Sequence, residues 1–501
     1  MAFSKIQSAQ LTGLNAVGVT IETDISRGLY MFQIVGLPDK AVEESRERVI
    51  SALRNSLGKN PKAENHKVIV SLSPADLKKE GSYFDVAIAL GYLTATETLT
   101  FDATNKVFVG ELGLNGDVRP IRGLLSIAQW AKRNGIQELY IPEGNVIEAN
   151  LVEGITFFIM PTLSALVDHL TGKTILATTE NAIRISTHQE PTVDFGDVKG
   201  QLVAKRALTI AAAGGHNIVL YGPPGTGKTM LAKAFHGILP PLSTQHFLEV
   251  ATIYSSIGLI HDAISGTAPL RSPHHSASHV AIIGGGSNIR PGDITLAHRG
   301  VLYLDEFPEF DRRVIEALRE PLEEGSITVA RARGSVRFPA QFILLAAMNP
   351  CPCGYRGSMI KNCSCSGSEL ARYTKKLSGP IMDRIDLWVP VQHIEYETLH
   401  EIGNNKESAR VQHTVQQLRD VQYERAHKLN SAFSSQEVQT KSKLTDSAKK
   451  QLQQFAEKLK LSPRSYLRTI KVSRTIADLD HSDTIEERHI LEALQYRPKL
   501  E

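Results

Sequence analysis

Eight residues near the middle of the chain, Gly222-Pro223-Pro224-Gly225-Thr226-Gly227-Lys228-Thr229, constrain its fold more than any other stretch. Glycines at these spacings let backbone N–H groups close around an anion. The lysine then reaches terminal phosphates, and the following hydroxyl offers a ligand to Mg²⁺. Such a loop works when a strand feeds it and a helix leaves it, because the helix N-terminus adds to the positive field. Both flanks are present. His216-Asn-Ile-Val-Leu-Tyr221 reads as a buried strand and Met230-Leu-Ala-Lys-Ala-Phe-His236 as a helix. The pattern predicts an α/β unit that binds ATP with Mg²⁺, with residues 222–229 around the phosphates.

A second site answers the first. Gly300-Val-Leu-Tyr-Leu-Asp305-Glu306 is an apolar run that ends in two carboxylates, about eighty residues after the loop. In a nucleotide hydrolase the aspartate at such a strand end positions Mg²⁺ together with the loop hydroxyl, here Asp305 with Thr229. The glutamate that follows, Glu306, polarises the attacking water. Loop and strand end together predict an ATPase.

The chain has 501 residues, enough for about two to four domains with their own cores. Its 56 basic and 53 acidic residues nearly cancel, so any contact with nucleic acid must come from a local patch. No apolar stretch approaches the roughly eighteen residues of a membrane span. The start, Met1-Ala-Phe-Ser-Lys-Ile-Gln, lacks the pattern of a secretory signal. The lack of such a stretch predicts no membrane partner, and only four cysteines argue against a disulfide framework and for a reducing cytoplasm.

Periodicity divides the chain into blocks. Residues 1–172 alternate strands (Lys67-Val-Ile-Val-Ser-Leu, Val107-Phe-Val-Gly-Glu-Leu, Glu138-Leu-Tyr-Ile-Pro) with helices near 40–57, 84–96 and 122–134. Residues 173–192 carry little periodicity and read as a linker. Residues 193–395 alternate strand and helix around the phosphate loop, which implies a parallel sheet. In 396–501, a polar stretch around 403–445 precedes helices at Ser447–Lys460, Pro463–Leu479 and Ile485–Tyr496, the last expected to start after Thr484 as N-cap.

Further motifs follow in the order seen in the AAA+ superfamily. Phe342-Ile-Leu-Leu-Ala-Ala-Met-Asn349 resembles the sensor 1 strand, whose Asn349 would orient the hydrolytic water beside Glu306. Ser378-Gly-Pro-Ile-Met-Asp383-Arg384 resembles an arginine-finger segment, with Arg384 reaching the γ-phosphate held by a neighbouring subunit. Ser462-Pro-Arg464 resembles sensor 2 in a helical lid, and Arg468, one turn on, is the alternative. A rigid, permanently charged guanidinium fork suits both tasks.

Longer stretches narrow the resemblance. Leu270-Arg-Ser-Pro-His274-His275-Ser-Ala-Ser, Ile283-Gly-Gly-Gly286, Pro291-Gly-Asp-Ile-Thr-Leu-Ala-His298-Arg-Gly and Leu304-Asp-Glu-Phe-Pro-Glu-Phe310 resemble magnesium-chelatase-like AAA+ proteins. Asn349-Pro-Cys-Pro-Cys-Gly and Arg468-Thr-Ile-Lys-Val-Ser-Arg-Thr-Ile-Ala-Asp478 resemble the YifB/ComM family, over essentially the whole chain. That resemblance implies a homohexameric ring with AAA+ insertions shared with mini-chromosome maintenance helicases. It also implies a DNA helicase that promotes branch migration during natural transformation and homologous recombination.

Two local features fit that implication. Ser326-Ile-Thr-Val-Ala-Arg331-Ala-Arg333-Gly334-Ser-Val-Arg337-Phe reads as a hairpin, with no acidic residue between Gly325 and Asn349. In a ring pore, Arg331, Arg333 and Arg337 could grip a DNA backbone without sequence choice; a solvated edge hairpin is the alternative. All four cysteines, Cys351, Cys353, Cys363 and Cys365, lie within fifteen residues. Such clustering points to a structural Zn²⁺ site, although the C-x-C spacing is tighter than usual; reduced thiols and a redox pair are the alternatives. His274 and His275 find no third metal ligand at suitable spacing and read as loop or inter-subunit residues.

The first block resembles the Lon-protease C-terminal domain, an α+β domain also found in the RadA recombination protein, through Ala75-Asp-Leu-Lys-Lys-Glu-Gly81-Ser-Tyr-Phe-Asp-Val-Ala-Ile-Ala-Leu. Tyr83 occupies the nucleophile's place, with Ser82 one residue out of register. Gly116-Asp-Val-Arg-Pro-Ile121-Arg-Gly-Leu-Leu has no lysine where the base belongs. A Ser–Lys enzyme needs both groups within hydrogen-bond reach, so the expected domain is non-proteolytic. The overall expectation is an α/β protein made of this domain, a P-loop parallel-sheet core with insertions, and an α-helical lid. A magnesium-chelatase motor subunit and an ATP-dependent protein remodeller are the competing readings.

Overall fold

Alternation of Val19, Ile21, Thr23 and Ile25 on the buried face of the strand Asn15–Arg27 sets the first sheet. In the computed structural model this strand pairs antiparallel with both Ala2–Thr12 and His66–Ser73, and Met31–Val35 adds parallel to the last. The structure describes residues 2–179, 192–286, 289–331, 334–358, 361–377, 379–394 and 406–498. The amphipathic helix Lys40–Leu57 is capped by Asp39, whose carboxylate accepts from the Val42 N–H, and ends at Gly58 in the left-handed conformation. The helix Asp85–Ala95 is apolar on nearly every side and is buried almost throughout. A second, parallel sheet joins Lys106–Phe108, Glu138–Pro142 and Thr156–Met160.

The chain forms two compact units. One comprises residues 1–185 with 247–264; the other comprises 186–246 with 265–501. Residues 247–264 lie inside the sequence block read as the nucleotide core, yet they fold with the first unit. There the Ser255 carbonyl accepts from the Gly123 N–H at 2.9 Å, and Gln129 Nε2 lies 3.4 Å from Thr252 Oγ1.

The second unit is built on a five-stranded parallel sheet. Numbered along the chain as Ile218–Tyr221, Leu270–Arg271, Val301–Leu304, Ile343–Met348 and Leu387–Pro390, its strands lie in the order 2-3-4-1-5. Their near-continuous apolar runs suit burial on both faces. Helices Leu202–Gly214 and Lys228–Gly237 supply Leu208, Ala211, Leu231 and Phe235 to the core.

The C-terminal part of this unit is helical, and one sequence expectation there needs correction. The polar stretch around 403–445 contains the 20-residue helix Glu407–Ala426 and the shorter Ser435–Lys441. The buried stripe of the longer helix, Val415, Leu418, Gln422 and Ala426, includes a fully buried glutamine, which disguised it. Gln422 is satisfied by the Ala213 carbonyl and the Asn430 N–H. Helices Asp446–Lys458, Pro463–Leu479 and Glu487–Gln495 follow, with Thr445 and Ser462 as side-chain caps of the first two. The last helix is capped at Glu486, two residues beyond the expected Thr484. Among the described residues, no helix is long and apolar enough to cross a membrane.

Candidate nucleotide site

The parallel register decides what meets at the sheet's C-terminal edge. Tyr221 pairs with Met348, and Leu304 with Ala346, so Gly222, Asp305 and Asn349 leave adjacent strands at one end. Open α/β sheets bind ligands at that edge. A Cβ on Gly222 would stand 2.0 Å from the Val391 carbonyl oxygen, so the loop can leave the strand only as glycine. Gly225 and Gly227 take positive φ, and the helix Lys228–Gly237 starts immediately after.

Lys228 turns back on its own loop. Its Nζ donates to the Gly222 and Pro223 carbonyls at 2.7 and 2.8 Å and lies 3.3 Å from Asn349 Oδ1. Burial holds its pKa below the ordinary lysine value. These are acceptors that an anionic phosphate oxygen can replace. Thr229 Oγ1 donates to Asp305 Oδ2 at 3.0 Å, an all-oxygen pair that fits a hard divalent cation. When bound there, Mg²⁺ would neutralise phosphate charge. Asn349 is steadied from behind, its carbonyl accepting from the buried Tyr373 hydroxyl at 3.0 Å.

Glu306 sits in the left-handed region, and its N–H donates to Asp305 Oδ1 at 2.9 Å. Its carboxylate Oε2 lies 3.1 Å from His275 Nδ1. His275 had read as a loop or inter-subunit residue; within this chain it faces Glu306, with the His274 ring 4.2 Å from its own. No local spacing links the two residues; they meet because the strand Leu270–Arg271 lies directly beside Val301–Leu304.

The arginines read as finger and sensor 2, Arg384 and Arg464, converge elsewhere in the unit. Arg384 is 3 % exposed, and its NH2 lies 2.5 Å from Glu323 Oε1. Arg464 NH2 lies 3.1 Å from the same oxygen. Arg468 is committed differently. Its NH1 lies 2.6 Å from Asp386 Oδ1 and donates to the Arg384 carbonyl at 3.0 Å. Burial alone would raise the pKa of Asp386, but Arg468 and His216 hold its carboxyl well below the usual range.

The arginine hairpin pairs Ser326–Arg331 antiparallel with Gly334–Pro339. Arg337 donates from Nε to Ser326 Oγ at 2.8 Å and from NH2 to Glu324 at 3.2 Å, and is largely exposed. Arg333 and the side chain of Arg331 lie outside the described residues. The sulfurs of Cys351, Cys353, Cys363 and Cys365 all lie within 4.8 Å of one another, with Cys351 to Cys353 at 3.4 Å and to Cys363 at 3.7 Å. Four ligands about 2.3 Å from a tetrahedral centre stand about 3.8 Å apart, so the donor set fits zinc. Backbone N–H groups of Tyr355 and Ser364 pull the Cys353 thiol down to about 6.

In the first unit, Ser82 Oγ donates to the Glu111 carboxylate. Tyr83 is nearly buried, which pushes its hydroxyl up to about 12. Lys79 is buried and donates to the Pro74 carbonyl.

A parallel sheet with a glycine loop, an Asp–Glu strand end, an asparagine beside them and a helical C-terminal part defines a magnesium-chelatase-like AAA+ protein. The family described as magnesium chelatase, subunit ChlI, matches residues 194–399, subunit ChlI of Mg-chelatase matches 21–145, and its ChlI C-terminal family matches 405–497. Competence protein ComM of Haemophilus influenzae is 42% identical over 99% of this chain and 98% of its own. The uncharacterized protein YifB of Escherichia coli is 41% identical over 99% of this chain and 97% of its own. The magnesium-chelatase 67 kDa subunit of Chlorobaculum parvum is 28% identical over 32% of this chain and 23% of its own. The chain therefore belongs to the ComM/YifB family.

Proposed function

We propose that this protein is an ATP-driven DNA motor, assembled as a homohexamer, that promotes branch migration during natural transformation and homologous recombination in the cytoplasm. The observation that carries the reading is the meeting of Lys228, Thr229, Asp305, Glu306 and Asn349 at one sheet edge. Lys228 and the loop 222–229 bind ATP phosphates, with Thr229 and Asp305 as the residues to hold Mg²⁺. Glu306 takes a proton from the attacking water, and Asn349 orients that water. Arg384 completes a neighbouring subunit's site in trans, and Arg464 serves as sensor 2 of the lid, once they leave Glu323.

Local cations supply DNA contact, because the net charge is only +3. Arg337, with Arg331 and Arg333, forms the pore-facing grip. The relative named for competence supports a role with incoming DNA, and full-length similarity extends to both units. Residues 1–172 form a non-proteolytic Lon-like domain for assembly or DNA binding, to which 247–264 belong; 173–192 serve as a linker, the rest of 193–395 as the ATPase core and 396–501 as the lid. The four cysteines bind a structural Zn²⁺ that stiffens the loop between Asn349 and Arg384. A magnesium-chelatase motor subunit is the competing reading, supported by the ChlI family models; the Lon-like front domain and the arginine hairpin weigh against it.

Branch migration of a synthetic four-way DNA junction tests the reading. The wild-type protein should resolve it only with hydrolysable ATP, and Glu306→Gln should not. Junction processing by Glu306→Gln at the wild-type rate would overturn the assignment.

A further inference from the structure

One oxygen of Glu323 receives two guanidinium groups, from Arg384 at 2.5 Å and from Arg464 at 3.1 Å. Guanidinium groups stay charged at any working pH, so two of them this close require an anion between them. The Glu323 carboxyl is held below its ordinary range, chiefly by the hydrogen bond from Arg384 and then by the charges of Arg384, Arg464 and Arg319. Arg384 is also tied through NH1 to the Pro380 carbonyl. Buried in this way, it cannot reach a phosphate held by another molecule until Glu323 lets go.

The short helix that carries Glu323, Arg319–Glu324, grips the hairpin with its other two glutamates. Glu320 accepts from the Thr328 N–H at 2.9 Å and from the Thr328 hydroxyl at 2.7 Å, and Glu324 accepts from Arg337 at 3.2 Å. Only Gly325, at positive φ, separates this helix from the strand Ser326–Arg331. These contacts link the hairpin to the helix that carries Glu323.

We infer that Glu323 is a positioning residue for ATP hydrolysis: its carboxylate stands in for a phosphate oxygen between Arg384 and Arg464, and hairpin displacement by DNA releases both arginines. The inference rests on the ATPase and DNA reading above. DNA phosphates at Arg337 compete with Glu324, the short helix shifts, and the arginines exchange one anion for another. Exchange of like partners costs little, because the guanidinium groups are never left bare.

Steady-state ATP hydrolysis by the full chain, with and without four-way DNA, tests this in Glu323→Gln. Glutamine keeps the size and one acceptor but removes the charge. The expected DNA-free kcat rises roughly five-fold, the scale of losing one ion pair whose carboxylate is partly exposed. KM for ATP should hold steady, while stimulation by DNA shrinks by the same factor. Glu323→Asp, which retains the charge, should lie closer to wild type. Adding Arg384→Ala should erase the gain, showing that it runs through the arginine. An unchanged or lower DNA-free rate, or a gain that survives Arg384→Ala, overturns the inference. If Glu323→Gln does not fold, Glu323→Ala takes its place, and an unchanged or lower DNA-free rate there overturns the inference equally. A wild-type protein that fails to hydrolyse ATP removes the functional reading as well, whereas normal wild-type turnover beside an indifferent Glu323→Gln removes this inference alone.

Discussion

His275 Nδ1 lies 3.1 Å from Glu306 Oε2, so the carboxylate proposed to activate water already has an intramolecular partner. An imidazole there fixes the carboxylate's direction without touching the phosphate loop. Glu306→Gln should bind ATP normally but lose at least about two orders of magnitude in turnover. His275→Ala should lower kcat by about ten-fold with little change in nucleotide affinity, since it removes only the orienting contact. Single-turnover hydrolysis alongside nucleotide-binding titration separates the two. Lys228→Ala should do the reverse and weaken binding first.

The shared-site proposal predicts complementation. Arg384→Ala protein should be inactive alone, and so should Lys228→Ala. Mixed, they should recover partial turnover at interfaces that pair an intact loop with an intact arginine. Full turnover by Arg384→Ala alone would contradict action in trans.

A stability prediction follows from Asp386. It receives the Asn217 N–H at 3.0 Å and Arg468 at 2.6 Å in a fully buried setting. Removing the charge by Asp386→Asn leaves Arg468 uncompensated and should cost about 3 kcal/mol of unfolding free energy at neutral pH. The folded pKa is depressed, so this stabilisation is complete above the unfolded value of about 4 and disappears as pH falls below it. Denaturant melts at pH 7 and near pH 3 should show the difference between wild type and Asp386→Asn shrinking.

Zinc content offers an independent check. Cys351 is fully buried among the four sulfurs. Each wild-type chain should carry about one Zn²⁺, and Cys351→Ser should lose most of it along with thermal stability. Metal-free wild-type protein with an unchanged melting temperature would leave the cysteines as reduced thiols.

Much of the nucleotide site was legible because its residues are fixed by spacing along single strand ends: Gly222 to Thr229, Asp305 to Glu306, and Asn349. The parallel sheet then had to bring those ends together. What the sequence hid were contacts made across the fold. Glu323 looks like an ordinary surface glutamate, and its role appears only once Arg384 and Arg464, 61 and 141 positions later, meet on it. His275 reads in sequence as a loop or inter-subunit residue, because its partner Glu306 lies just past the end of the strand Val301–Leu304 and no local spacing links them. Residues 247–264 carry helical periodicity like their neighbours, and nothing local says that they fold with the first unit. The helix Glu407–Ala426 escaped because Gln422 takes a core position through hydrogen bonds instead of apolar contact.

The hairpin makes a quantitative prediction. DNA affinity should be indifferent to sequence and fall steeply with salt, with a log–log slope of about 0.7 to 0.9 per phosphate contacted. Alanine at Arg331, Arg333 and Arg337 together should flatten that slope and abolish both branch migration and the stimulation of hydrolysis by DNA. An unchanged slope would move DNA binding off the hairpin.

The most direct test of an ATP-driven DNA motor is the hydrolysis rate of the wild-type protein with and without forked or four-way DNA, at fixed salt. DNA should raise kcat by about five-fold or more, as expected when a ligand completes an arginine-dependent site. The same rate with and without DNA, in a protein that turns over ATP, would contradict the coupling on which the account depends.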